Sequence, residues 1–141
     1  MIKDRFKTIN AVYLIIIQGN NILLSERSNT GYFDGFYSLP AGHVEKGETL
    51  KEAMIREAKE ELDIDLMSLD LVHVMHRLKE ERISFFFKCI SYQGAIKNME
   101  EEKCNNLSLF DINDLPENII PYIKEAIDFY IKKVPYSEKK D

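Results

Sequence analysis

Gly42-His43-Val44-Glu45-Lys46-Gly47-Glu48, followed after seven residues by Arg56-Glu57-Ala58-Lys59-Glu60-Glu61, is the stretch on which the reading of this chain turns. At the angular step of an α-helix, Glu57, Glu60 and Glu61 fall at roughly 0°, 300° and 40°, so three carboxylates share one stripe. Like charges three and four residues apart repel by roughly a few tenths of a kcal/mol per pair, and the stripe is unfavourable unless a cation sits against it. Mg²⁺ and Mn²⁺ are hard ions that take carboxylate oxygens and keep positions open for water and substrate phosphates. Ile55, Ala58 and Leu62 lie within roughly 60° of one another and are expected to form the apolar edge that anchors the helix. Ala53, one turn before Glu57, is expected to stay small so as not to obstruct an approaching phosphate.

Most glutamate-rich helix faces are simply solvated. The setting here is more particular: Pro40 and a glycine-containing loop come first, and Arg56 stands directly before the first glutamate. These residues resemble the Nudix hydrolases, whose box reads G-x5-E-x7-R-E-U-x-E-E-x-G-U with U a bulky aliphatic. Gly42, Glu48, Arg56, Glu57, Glu60, Glu61 and Ile64 match at the family's spacing. Ala58 replaces a larger aliphatic and Asp63 replaces the last glycine. That glycine ends the helix in a left-handed conformation, which Asp tolerates at a small cost in stability. The resemblance extends to the approach segment Tyr32-Phe33-Asp34-Gly35-Phe36-Tyr37-Ser38-Leu39-Pro40-Ala41, and more weakly to His76-Arg77 and to residues 103–118.

The resemblance implies divalent-metal-dependent hydrolysis of a nucleoside diphosphate linked to another moiety, by attack of water on phosphorus. A (deoxy)nucleoside triphosphate cleaved to monophosphate and pyrophosphate is the favoured substrate. ADP-ribose or another sugar nucleotide, or a non-catalytic nucleotide-sensing module, are the alternatives; a sensor would be expected to show an eroded acidic stripe. Mg²⁺, or Mn²⁺ in its place, is the expected cofactor. Glu57 and Glu61, one turn apart, are the first choice as direct ligands, with Glu60 binding directly or through water. The family's use of a backbone oxygen adds Ala41, and its use of a later glutamate adds Glu100 ahead of Glu101 and Glu102. Arg56 is expected to pair with Glu48 so that Glu57 is oriented; an ordinary surface ion pair is the plainer explanation. Gly42 opens the loop. His43, His73 and His76 are less attractive as bases, because a cation already activates water near neutral pH. Arg27 or Arg77 is suited to a phosphate, and Tyr32, Phe33, Phe36 or Tyr37 to stacking a base, although aromatics beside strands usually belong to the core.

The 141 residues suit a single domain spanning 1–141, with residues 136–141 expected to be frayed. A net charge of −5 argues against binding a nucleic-acid polymer over a wide surface, yet permits a small polyphosphate when cations bridge it to acidic groups. No apolar run approaches the roughly 20 residues that span a bilayer. Met1-Ile2-Lys3-Asp4-Arg5 leads into no signal-like segment, so a cytoplasmic protein without a membrane partner is expected. Cys89 and Cys104 suggest no disulfide framework. The family often dimerises, which makes a homodimer possible.

Along the chain, residues 9–17 and 22–27 read as a hairpin around Gly19-Asn20-Asn21. A short strand is expected at 36–39, and Thr49 with Glu52 has the spacing of a capping box that starts the helix, which ends near Asp63. Residues 65–78 and 83–90 read as paired antiparallel strands, 98–106 as a charged loop and 107–110 as a short strand. A second helix begins at 120, with Pro121 in its first turn and Ile123, Ile127, Tyr130, Ile131 and Val134 at helical spacing. The expected fold is an α/β/α sandwich with a mixed β-sheet between helices, which is also the fold the resemblance implies.

Overall fold

The computed structural model describes residues 4–141; the first three residues of the segment Met1-Ile2-Lys3-Asp4-Arg5, read above as leading into no signal-like segment, lie outside them. The organising strand is β1 (Ile9–Ile15), whose residues from Ala11 onward are all buried. Alternation along a strand sends successive side chains to opposite faces. Ala11, Tyr13 and Ile15 accordingly face one apolar cluster, and Val12 and Leu14 the other, which Ile16 joins. A helix covers each face. Helix α1 (Leu50–Leu62) contributes Ala53, Met54, Ala58 and Leu62 to one cluster, and helix α2 (Pro121–Ile131) contributes Tyr122, Ile123, Ala126 and Ile127 to the other. The expected α/β/α sandwich is therefore the observed one.

The five-stranded mixed sheet runs β5 (Ala41–His43), β1, β7 (Arg82–Gln93), β6 (Asp65–Arg77), β9 (Tyr136–Lys139). β1 lies parallel to β7, and β6 and β7 form the expected antiparallel pair. A second, antiparallel sheet joins β2 (Ile17–Gln18), β3 (Asn21–Arg27), β4 (Tyr37–Ser38) and β8 (Cys104–Asp111), with β8 along β3. Among the described residues no helix is long and apolar enough to cross a membrane.

Five expectations are corrected. The hairpin around Gly19 exists only between Ile17-Gln18 and Asn21-Ile22. β1 leaves it for the mixed sheet, because a strand apolar on both faces is buried only between two layers. In α1, Met54 rather than Ile55 completes the buried face; Ile55 is 40% exposed. Ala53 is wholly buried against the sheet, so its size is set by helix–sheet packing and not by phosphate access. The tail is not frayed at 136–139, where β9 pairs in parallel with the end of β6, Val74 opposite Tyr136 and Arg77 opposite Lys139. Buried His73 fastens it: Nδ1 lies 2.7 Å from the Val134 carbonyl and Nε2 2.8 Å from Ser137 Oγ, with the ring stacked on Phe129. Val134 thus belongs to this connection, and α2 ends at Ile131.

Candidate active site

The catalytic-loop candidate leaves β5 and enters α1 through a tightly bonded turn. The Glu45 N–H donates to Glu48 Oε1 at 2.8 Å, and the Thr49–Glu52 capping box is complete, so the orphan amides of the first turn are satisfied. The helix stops at Asp63, which adopts φ 57° and ψ 36° and donates its N–H to the Lys59 carbonyl. Asp therefore fills the left-handed position without disturbing the helix end.

Arg56 lies at the centre of the loop–helix junction. Its Nε and Nη2 donate to the two oxygens of Glu48 at 2.7 and 3.0 Å, and Nη2 also reaches the His43 carbonyl at 3.1 Å. Nη1 donates to Glu57 Oε1 at 2.8 Å and Glu60 Oε2 at 3.3 Å. A forked, partly buried pair of this kind is stronger and better oriented than a surface ion pair. The bonds from Arg56 hold the Glu48 carboxyl below its usual range, and those carboxylates in turn keep the guanidinium firmly protonated.

Glu57 and Glu61 are in the opposite situation. Burial raises the Glu57 carboxyl, with the Arg56 bonds pulling the other way and Glu60 and Glu100 adding to the rise. Glu61 is pushed well above the usual range by burial, then by the charges of Glu57 and Glu100, with the Ala41 backbone offsetting part of the rise. One Glu61 oxygen is buried without a hydrogen-bond partner. Gly42 faces this group: a Cβ there would collide with the Cδ and Oε1 of Glu57. Among the described residues no group of three or more His, Cys, Asp or Glu side chains is arranged, as it stands, to hold a metal ion. The donor set nevertheless fits a hard divalent cation, since buried, crowded carboxylates with an orphan oxygen lack only positive charge. The residues that would hold one are the candidates named from the sequence, Glu57, Glu60, Glu61 and Glu100, together with the backbone at Ala41.

These groups line one wall of a cavity of ≈ 620 Å³. Ala41, Gly42 and Glu100 are in that wall, whereas Glu101 and Glu102 are exposed outside it. Glu48 stands behind the wall, reaching it only through Arg56. Arg27, Tyr32 and Arg77 line the same cavity. Arg27 Nε donates to the Tyr32 carbonyl at 2.7 Å, which ties the loop at 28–35 to β3. Phe36 does not line the cavity; its ring meets Phe33 edge-on at 5.3 Å and packs against the core on the α2 side. Tyr37 is buried, and its hydroxyl accepts from Asn106. His43 is in the wall, where Arg82 Nη1 donates to its Nε2 at 3.0 Å; burial and that arginine lower the imidazole's pKa. His73 and His76 are not in the cavity wall.

Tyr13, Arg82, Lys103 and Tyr122 also line the cavity, and sequence reasoning missed all four. Tyr13 sits in an aliphatic run that looks like core, and Tyr122 follows Pro121 in a helix whose apolar spacing absorbs it. Arg82 had the look of a turn residue. Only the pairing of Arg77 with Arg82 across the β6–β7 turn brings those two arginines side by side.

The family model described as NUDIX domain matches residues 7–130. An ADP-ribose pyrophosphatase of Methanocaldococcus jannaschii is 34% identical over 123 residues, covering 84% of this chain and 71% of that protein. An 8-oxo-dGTP diphosphatase of Proteus vulgaris is 31% identical over 85 residues, covering 60% and 76%. The crystal structure of a MutT NUDIX hydrolase from Burkholderia pseudomallei superposes with a TM-score of 0.80 at 24% identity, covering 86% of this chain and 97% of that one. With Gly42, Glu57, Glu60 and Glu61 of the box lining one cavity, Arg56 and Glu48 bonded to one another beside them, and these likenesses spanning most of its length, the chain belongs to the Nudix hydrolase family and is a pyrophosphohydrolase.

Proposed function

We propose that this enzyme hydrolyses a (deoxy)nucleoside triphosphate to the monophosphate and pyrophosphate, with Mg²⁺ or Mn²⁺ as cofactor. The observation that carries the proposal is that one cavity is lined both by the acidic Glu57, Glu60, Glu61 and Glu100 and by the cationic Arg27, Arg82 and Lys103. A triphosphate brings more negative charge than the diphosphate of ADP-ribose, and the three cationic side chains Arg27, Arg82 and Lys103 in the lining suit it better. The bound cation would neutralise phosphate oxygens and polarise water for attack on phosphorus. The chain's own part is placement. Glu57, Glu60, Glu61 and Glu100 hold the positive charge at the phosphates, Arg56 fixes the carboxylates against the loop through Glu48, and Gly42 leaves room for Glu57.

The 34% identity to an ADP-ribose pyrophosphatase favours a second reading, cleavage of ADP-ribose in the same cavity. Incubating the enzyme with nucleoside triphosphates and with ADP-ribose, with and without Mg²⁺, and identifying the products separates the two. Mg²⁺-dependent release of pyrophosphate from a triphosphate is expected. Cleavage of ADP-ribose with the triphosphates left intact overturns the first reading in favour of the second.

A further inference from the structure

Among the described residues, one arginine of this cavity, Arg77, holds its charge without an ion-pair partner. Alternation along β6 turns His73, Met75 and Arg77 towards the α2 side, and Arg77 is only 3% exposed. Its guanidinium lies 3.6 Å from the centroid of the Tyr122 ring, and Tyr122 in turn bonds to Tyr13 through their hydroxyls at 3.1 Å. The groups that act on this arginine electrostatically are the hydroxyls of Tyr122, Tyr13 and Tyr32 rather than any carboxylate. Of the two donors on the guanidinium's side edge, Nη2 reaches the Tyr32 hydroxyl at a long 3.4 Å, and Nε is buried with no partner among the described residues. Tyr32 is 44% exposed on a surface loop, so its hydroxyl can be displaced from that edge.

A planar fork of donors, stacked on one aromatic ring and bordered by two others, matches a flat ligand with two adjacent acceptors. A phosphate is served better by the more exposed Arg27, Arg82 and Lys103, which approach from several directions. Guanine offers O6 and N7 side by side, the edge that arginine reads bidentately in nucleic acids, and cytosine offers O2 and N3. Adenine places the N6 amino donor beside either ring nitrogen, and uracil separates its two carbonyls with an N–H. Facing a fork that only donates, those edges leave a donor opposed to a donor.

Resting on the nucleotide reading above, we propose that Arg77 is the specificity-determining residue of this cavity, selecting guanine and cytosine nucleotides over adenine and uracil nucleotides.

The test is calorimetric titration of the metal-free protein with GMP, CMP, AMP and UMP, for the wild type, Arg77→Lys and Tyr122→Leu. GMP and CMP are expected to bind about tenfold more tightly than AMP and UMP. Arg77→Lys keeps the charge but loses the fork, and Tyr122→Leu removes its support; both are expected to bring the four affinities to within about twofold of one another. Equal affinities in the wild type, or no binding of any of the four, overturn the proposal without recourse to a variant. So does an equal loss for all four in Arg77→Lys, accompanied by a loss of pyrophosphate binding, which would make Arg77 a phosphate anchor. No turnover is needed, so these outcomes stand apart from success or failure of the triphosphate hydrolysis assay.

Discussion

Arg56 grips Glu48 with both arms of its fork, at 2.7 and 3.0 Å, while its remaining nitrogen bonds to Glu57. One side chain thus sets the distance between the loop and the first glutamate of the stripe. Arg56→Lys keeps the charge and loses the geometry. We expect kcat to fall about ten- to a hundredfold with a small change in melting temperature, as for residues that orient ligands without binding them. Steady-state kinetics alongside thermal melts check this; an unchanged kcat would reduce the contact to an ordinary ion pair.

Glu57→Gln and Glu61→Gln each remove a charge and keep the volume. Turnover is expected to drop by more than about a hundredfold in both while the circular-dichroism spectrum stays native. The metal-free wild type should melt at a higher temperature when Mg²⁺ is added, by mass action on the folded state, and Glu61→Gln should lose that rise. A melting temperature indifferent to Mg²⁺ in the wild type would contradict the cation assignment.

Gly42→Ala puts a methyl group where the Glu57 carboxylate lies. Overpacking of this kind costs about 1–3 kcal/mol and displaces the glutamate, so both stability and turnover should fall. The cost in stability should largely vanish in a Glu57→Ala background, which a double-mutant cycle by urea unfolding measures. Additive costs would show that the strain lies elsewhere.

Asp63 sits at φ 57°, where a side chain is tolerated and glycine is at ease. Asp63→Gly is expected to raise stability by up to about 1 kcal/mol and to leave turnover alone. The ion pairs lost, to Lys59 and Lys97, are exposed and long. A destabilised variant in urea unfolding would mean that those contacts outweigh the backbone.

The loop carrying Tyr32 is held by Asp34, which accepts from the N–H groups of Thr30 and Gly31 and from the Thr30 hydroxyl. Those bonds, the hydroxyl first, lower the Asp34 carboxyl from its ordinary 3.8. A depressed carboxylate stabilises the folded loop above its unfolded value, and the contribution is lost as pH falls through the lower, folded one. The hold is therefore complete near neutral pH and released only in strong acid. Asp34→Ala should release it at pH 7, seen as faster amide hydrogen exchange at Thr30 and Gly31. Exchange unaltered in that variant would place the restraint in the Arg27–Tyr32 bond instead.

What was legible in the sequence followed from local rules. The capping box, the left-handed Asp63, the paired long strands and the acidic stripe each depend on residues a few positions apart. The family box also carried the α/β/α architecture, which no local pattern would have settled. Ile55 and Met54 were misassigned because helical spacing marks an apolar arc without saying which edge of it meets the sheet. β9 was missed because Tyr136-Ser137-Glu138-Lys139 has little apolar content; it is held by parallel pairing to β6 and by His73, contacts across more than sixty positions of separation. Tyr13 and Tyr122 were hidden for the converse reason. Each looks like core locally, and only the tertiary contact between their hydroxyls, 109 positions apart, brings them together at the cavity.

Because Lys139 lies opposite Arg77 in the β6–β9 ladder, β9 and the arginine proposed to read the base share one strand terminus. A purification handle fused just behind Lys139 would therefore load the same hydrogen-bonded row that positions the guanidinium. Preparations tagged at opposite ends should be compared for nucleotide preference before either is taken as the native enzyme's.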